Sequence, residues 1–512
     1  MFAASTGVPP QTRHLVRSLK LFDSTMIVAG SMIGSGIFLV TAEMTRELGS
    51  AGWLLVTWAI TAGLTLAAAL SYGELAAMLP HAGGQYVYLR EAFSPLTGFL
   101  YGWTLFLVIQ TGIIAAVAVG FARYLGVLIP AISDSAYLVQ PLRILPGYAL
   151  SLSSTQLVAI LVIAAVTVIN VFGLRYGKLV QNVFTVSKLA GLALVIVVGL
   201  TIGANSSAFH INFSHPFAIQ PEALAATTTG LASRAPLIVA LCLAQVGSLF
   251  AADAWNNITF TAGEVANPKR NLALSLTIGT LLVMVLYFFT NLAYTTVLPL
   301  PQIAHAPADR VGSAMVEAVI PGAGGRIIAV VILIAAVGCI NGMVLSGART
   351  YYAMAKDGLF PPIAGQLNRA NVPAASLLLQ SGWAAVLLSV RTYSPATNAY
   401  GNLYSSLLDY VIAAALLFYI ATILAVFRLR RTRPDAERPY RALGYPVLPA
   451  LYIAGASLIL VVLFRYRTAT AGPGLLLVAL GLPVYFVLRK TLRPSVESEP
   501  LVTLDDQLTE TA

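Results

Sequence analysis

Two ionisable residues and one run of small residues stand where a long apolar sequence has least use for them. Asp253 lies in LFAADAWNNITF (249–260), Lys188 in FTVSKLAGLALVIVVG (184–199), and Gly34-Ser35-Gly36 in MIVAGSMIGSGIFLV (26–40). A carboxylate in such a run meets a cation, carries a proton, or takes hydrogen bonds from nearby backbone N–H groups. In a membrane it marks a functional site by default. A lysine there either runs its ammonium out to an interface or stays inside in a functional role. Glycines inside a helix cost about 1 kcal/mol each relative to alanine, and Gly30 adds a third to this stretch.

The elements that must position these residues are membrane helices. Of 512 residues, 58% are hydrophobic and 10% charged, with a mean hydropathy of +0.82; soluble domains carry about 25% charged residues. Runs long enough to cross a bilayer, about 20 residues, recur near 24–44, 51–79, 95–125, 153–173, 180–203, 234–262, 270–298, 326–355, 373–391, 402–427, 445–464 and 473–489. These are continuous runs, unlike the short alternating strands of a barrel. The expected fold class is an all-α polytopic membrane protein of twelve transmembrane helices. No cleavable leader is expected, because the N-terminal tail runs straight into a full-length span.

An even number of spans places both termini on one side. Arg13, Arg17 and Lys20 in the tail, and Arg428, Arg430, Arg431, Arg433, Arg438 and Arg441 in one loop, put that side in the cytoplasm. The net charge of +10 is therefore a topology signal, and no nucleic-acid partner is expected. All five histidines (His14, His81, His210, His215, His305) fall in tails or loops. That argues against an embedded haem, a His-ligated metal and a Ser-His protease. No phosphate-binding loop or zinc motif is present. No catalytic residue, cofactor or metal is expected. Cys242 and Cys339 both fall within spans and read as small apolar packing residues.

The glycine run has two readings. Gly30 and Gly34 have the spacing that lets two helices pack closely. Gly34, Ser35 and Gly36, however, are consecutive and face three directions, so one packing face cannot use them all. A helix broken at mid-membrane uses them better, since unwound backbone is tolerated there where it lines a cavity or is buried in protein. Its free N–H groups, at the positive end of a half-helix, suit an anion. A second break is expected around Asp253, the alternative being a structural Asp. Breaks in the first and sixth of ten spans are what a five-plus-five inverted repeat with discontinuous helices 1 and 6 requires. The expected organisation is a cytoplasmic tail 1–22, a first repeat 23–204, an extracellular loop 205–233, and a second repeat 234–427. A basic cytoplasmic loop 428–444, two appended helices 445–490 and a cytoplasmic tail 491–512 follow. Glu74, Arg123, Arg349 and Asp409 read as structural.

Five segments in order carry a resemblance: LKLFDSTMIVAGSMIGSGIF (19–38), SYGELAAMLPHAGGQYVYLREAF (71–93), GEVANPKRNLALS (263–275), NGMVLSGARTYYAMAKDGLFP (341–361) and RLRRTRPDAERPYRALGYPVLP (428–449). The chain resembles the amino acid–polyamine–organocation transporter superfamily, and most of all its L-amino acid transporter branch. The resemblance implies that backbone at Ile33, Gly34, Ser35 and Gly36 binds a substrate carboxylate. It implies that carbonyls near Phe250, Ala251 and Asp253 hold the α-ammonium, that Phe250 closes over substrate from outside, and that Trp255 is a bulky residue of the same segment. Val108 and Ile109 align with positions lining the cavity from the third span. Lys188 matches a lysine of sodium-independent members, standing where sodium sits in sodium-coupled relatives.

Two departures matter. Ala254 stands where the branch usually has glycine, which puts the unwinding in question. Asp253 stands where transporters of neutral amino acids tend to have a small residue, and resembles members accepting cationic amino acids and cystine; it could pair with a cationic side chain or titrate as a coupling proton site. Animal relatives join a heavy chain through a cysteine in the loop at about 126–152, which has none here, so a disulfide-linked heavy chain is not expected. The expected function is sodium-independent L-amino acid transport in the cell's inner (plasma) membrane, by exchange or facilitated uptake. Alternatives are a proton-coupled amino acid or polyamine permease, or an amino acid sensor; an enzyme is not expected.

Overall fold

The computed structural model describes residues 17–145, 148–203, 207–224, 236–394, 399–400 and 403–491. The expected tails at 1–22 and 491–512 and the loop at 205–233 therefore lie wholly or partly outside the described residues. The chain opens with α1 (Leu21–Met32), a 3-10 turn (Gly36–Phe38) and α2 (Val40–Leu48), then α3 (Ala51–Met78) and the short α4 (Gln85–Ala92). α5 (Pro95–Thr104) and α6 (Gln110–Leu128) are joined by a π-turn over Leu105–Ile109. Strands β1 (Tyr137–Leu145) and β2 (Tyr148–Ser153) lead to α7 (Ser154–Val171), α8 (Leu174–Ile202) and α9 (Ser207–Phe213). Next come α10 (Leu237–Ala251), α11 (Asn257–Phe260), α12 (Pro268–Val297), α13 (Leu300–Ala304), α14 (Val311–Val319), α15 (Gly324–Lys356) and α16 (Ala374–Ser389). Strands β3 (Val390–Ser394) and β4 (Ala399–Tyr400) precede α17 (Leu403–Thr432), α18 (Val447–Tyr466) and α19 (Thr468–Thr491).

Nine helices among the described residues are long and apolar enough to cross a membrane; three shorter apolar helices are α10, α16 and Gly474–Arg489 within α19. The expected sixth span falls short by that measure because it is cut at Ala251. Local sequence sets several of the ends. Ser94 accepts from Thr97 N–H at 3.2 Å with Pro95 at the first helical position, a start that wastes no donor. Gly49 ends α2 at φ +58°, the left-handed conformation that glycine adopts at no steric cost.

α1 packs against α12, α8 and α15, and α3 against α12. α8 turns Leu179, Val183, Val186, Leu194 and Val197 outward, each more than half exposed, an apolar stripe that suits lipid. The residues read as structural are all paired. Arg349 and Glu264 form a buried ion pair at 3.1 Å. Glu74 meets Arg430 at 2.6 Å, Arg123 meets Asp134 at 2.9 Å, and Asp409 meets Arg467 at 2.8 Å.

The chain entering α1 is tied to the segment leaving the sixth span. Ser18 and Leu19 N–H both donate to Glu264 O at 2.9 Å, and Ala266 N–H returns to Leu19 O at 2.8 Å.

The fold is not wholly helical. β1, β2, β3 and β4 form one antiparallel sheet in that order, where the sequence suggested a plain loop at 126–152 and a span continuing to 391. Side chains along β2 alternate in burial, with Ala149, Ser151 and Ser153 inside, the period of two that a strand imposes. Asn212-Phe-Ser has the Asn-x-Ser pattern of a glycan acceptor, but its amide is engaged inside the fold. Asn212 is buried and donates to Thr295 O and Leu298 O at 2.8 and 2.9 Å.

Candidate functional site

The first helix breaks where the glycine run stands. α1 stops at Met32, Ile33 is extended (φ −77°, ψ 97°), and helical turns resume at Gly36. A helix end leaves orphan carbonyls, and here each has a donor from another helix. Lys188 Nζ donates to Gly30 O and, at 2.8 Å, to Ile33 O. Cys339 Sγ donates to Ser31 O and Tyr287 OH to Met32 O, both at 2.9 Å. Lys188 is buried, so its ammonium stays inside the bundle.

The N–H side of the break is different. Among the described residues, no main-chain carbonyl accepts from Gly34, Ser35 or Gly36 N–H. Gly36 faces the sixth span so closely that a Cβ there would lie 3.2 Å from Ala251 Cα. Ser35 Oγ is buried without a partner and abuts Gly120, where an added Cβ would overlap it at 2.0 Å.

The sixth span unwinds too. α10 ends at Ala251, turns occupy Ala252–Asn256, and α11 restarts at Asn257. Ala254 takes φ +64°. A left-handed alanine costs about 1–2 kcal/mol, so the missing glycine raises the cost of unwinding without preventing it. No main-chain N–H among the described residues donates to the carbonyls of Ala251, Ala252 or Asp253, whereas Phe250 O accepts from Asp253 N–H at 3.2 Å. Phe250 and Trp255 are both buried. Gln85, at the start of α4, accepts from Asn256 Nδ2 at 3.0 Å and steadies the segment. A Cβ at Gly84 would sit 2.7 Å from the Thr259 carbonyl carbon, so only glycine lets this loop approach α11.

Asp253 is buried; its Oδ1 accepts from Tyr419 OH on α17, and its Oδ2 has no hydrogen-bond partner. Two small cavities flank the pair. One, of about 10 Å³, reaches Gln85, Tyr101 and Ile109; the other, of about 20 Å³, reaches Thr65, Trp255 and Tyr452. Asp253, Ala415 and Tyr419 bound both. Ile109 bounds the first cavity from the end of the π-turn, a feature common at functional positions. Trp383 Nε1 donates at 2.8 Å to Leu107 O within that turn. Val108 is buried but bounds neither cavity.

The residues singled out in sequence thus fall into two adjoining groups. Ile33, Gly34, Ser35, Gly36, Phe250 and Ala251 gather at the facing breaks, with Lys188 behind them. Asp253, Trp255 and Ile109 lie by the cavities, and Val108 stands apart. Sequence reading missed Tyr419, Gln85 and Asn256. Tyr419, one of two hydroxyls within LLFYIATIL with Thr422, carried the same signal as other embedded polar groups.

A multi-pass helical membrane protein with two broken helices facing each other at its centre belongs to the transporter class of architecture. The chain belongs to the amino acid permease family, which it matches over residues 19–484. It is similar to a serine/threonine exchanger of Bacillus subtilis, 28% identical over 93% of this chain and 98% of the relative. It is also similar to b(0,+)-type amino acid transporter 1 of Rattus norvegicus, 28% identical over 84% of this chain and 80% of the relative. Large neutral amino acids transporter small subunit 2 of Homo sapiens is 27% identical over 92% and 80%.

Proposed function

We propose that this amino acid permease carries L-amino acids by alternating access without sodium, through exchange or facilitated uptake. The observation that supports it best is the facing of unused donors and acceptors. Unpaired N–H groups of Gly34, Ser35 and Gly36 suit a carboxylate, and unpaired carbonyls of Ala251, Ala252 and Asp253 suit an ammonium. Gly36 lies against Ala251, so one zwitterion can engage both sets. A polyamine would leave the N–H groups unmet, which favours amino acids. Lys188 supplies a fixed cation on the break's carbonyls, the place a sodium ion would otherwise occupy.

In this reading twelve spans form a five-plus-five inverted repeat with an appended pair, in the plasma membrane with both termini cytoplasmic. The chain works without a disulfide-linked heavy chain: its two cysteines are free and buried. The side-chain subsite lies at Asp253 and Trp255, and accepts cationic as well as neutral amino acids.

The test is counterflow in proteoliposomes without sodium, loaded in turn with arginine, leucine, alanine or putrescine and given labelled arginine or leucine outside. Label accumulating only against an internal amino acid is the expected result. Accumulation against putrescine alone would overturn the zwitterion site. Tight binding of amino acid with no flux in any pairing would replace transport by sensing.

A further inference from the structure

The two cavities beside Asp253 share three lining residues, Asp253, Ala415 and Tyr419, of which Tyr419 has the bulkiest side chain. Tyr419 hydrogen-bonds Asp253 Oδ1 and bounds both spaces, and its ring packs 5.6 Å from Trp255 and 6.1 Å from Tyr72. Volumes of about 10 and 20 Å³ each hold roughly one water, too little for an amino acid side chain. Moving the phenol enlarges the space on both sides of it. Among the described residues no lysine, arginine or histidine bounds either space, and the side-chain donor on Asp253 is the Tyr419 phenol.

Resting on the transport reading above, we propose that Tyr419 is a specificity-determining residue whose hydroxyl occupies Asp253 until a donor-bearing substrate side chain replaces it. The exchange is one donor for another, so an ammonium, guanidinium or hydroxyl entering the vacated space leaves the carboxylate paired. An apolar side chain of equal length displaces the phenol and leaves a buried carboxylate oxygen unmatched, a loss that costs tenfold or more in binding. Tyr419 therefore penalises long apolar side chains against short ones, such as alanine's, that leave the phenol in place, and Asp253 sets the preference for a donor among the long ones.

The decisive measurement is sodium-free counterflow with wild type, Tyr419→Phe, Asp253→Ala and the double variant, reading KM for alanine, norvaline and ornithine. In wild type, ornithine is expected to compete about tenfold better than norvaline. Tyr419→Phe removes the donor that both long side chains displace, so the norvaline-to-alanine ratio of KM falls about tenfold while the norvaline-to-ornithine ratio stays. In the Asp253→Ala background the same change leaves the norvaline-to-alanine ratio where it was, since Tyr419 acts through that carboxylate. Equal competition by ornithine and norvaline in wild type, which needs no variant to fold, overturns the proposal. So does a norvaline-to-alanine shift that persists without Asp253. Absence of any wild-type counterflow would overturn the transport reading and this one with it; intact counterflow with an unmoved norvaline-to-alanine ratio in Tyr419→Phe overturns this one alone.

Discussion

The breaks in the first and sixth spans are built from different residues, glycine and serine at one and Asp253, Asn256 and Asn257 at the other, and differ in how their polar groups are met. At the first, every carbonyl from Gly30 to Ile33 has a fixed donor from α8, α12 or α15, and what remains open is a short row of N–H groups. At the sixth, three carbonyls are open, Asp253 leans on a hydroxyl, and Asn257 Nδ2 is buried without a partner. Buried polar groups are normally hydrogen-bonded, so both regions hold unspent capacity, and Ser31 Oγ and Ser35 Oγ add to it at the first. Under the proposed function the difference becomes a division of labour: a half with fixed carbonyls would recognise what all amino acids share, and an adjustable half would read what distinguishes them.

Four substitutions break or sharpen that contrast. Gly36→Val attacks the closest approach of the two halves, where even a Cβ stands 3.2 Å from Ala251 Cα. Uptake of every amino acid should fall a hundredfold or more (on the order of 3 kcal/mol), and wild-type uptake by that variant would remove the carboxylate site. Lys188→Met keeps most of the side chain's length but strips the donor from Gly30 and Ile33 carbonyls. An unmet buried acceptor costs about 1–3 kcal/mol, so the melting temperature in detergent should drop along with transport; an unchanged melt would show that the first break is not held rigid by the ammonium.

Asp253→Ala falls on the adjustable half alone. Cationic substrates should lose about tenfold more than neutral ones (~1.4 kcal/mol), read as competition against labelled leucine, and equal losses would erase the contrast between the halves. Ala254→Gly is the gentlest change. Removing the Cβ from a left-handed residue at φ +64° relieves about 1 kcal/mol, so thermal stability should rise by a few degrees while substrate preference stays. A fall in stability would mean that the alanine methyl packs usefully.

Much of this was legible in the sequence because it is local. Consecutive glycines and a serine announce a break, and an aspartate in an apolar run announces a polar site, without knowledge of any neighbour. What was not legible is long-range. Tyr419 meets Asp253 across 166 residues, and neither apolar run shows that the two spans touch. The π-turn at Leu105–Ile109 left no mark either, since its residues would suit an ordinary helix. Ile109, at its end, bounds the cavity while Val108, one position away, does not. The sheet escaped notice because β1 and β3 lie far apart in the chain and pair through β2.

The clasp of Ser18 and Leu19 on Glu264 joins the lead-in of one broken helix to the lead-out of the other, and Arg349 pins that glutamate to α15. A door with two leaves normally has two hinges to time against each other. Here both leaves share one crossbar, so they swing as a pair, and a half-open mouth on that side requires the crossbar to snap first. Leakage through a single unlatched leaf is thereby guarded against by three main-chain hydrogen bonds and a buried ion pair that lie outside the substrate's reach.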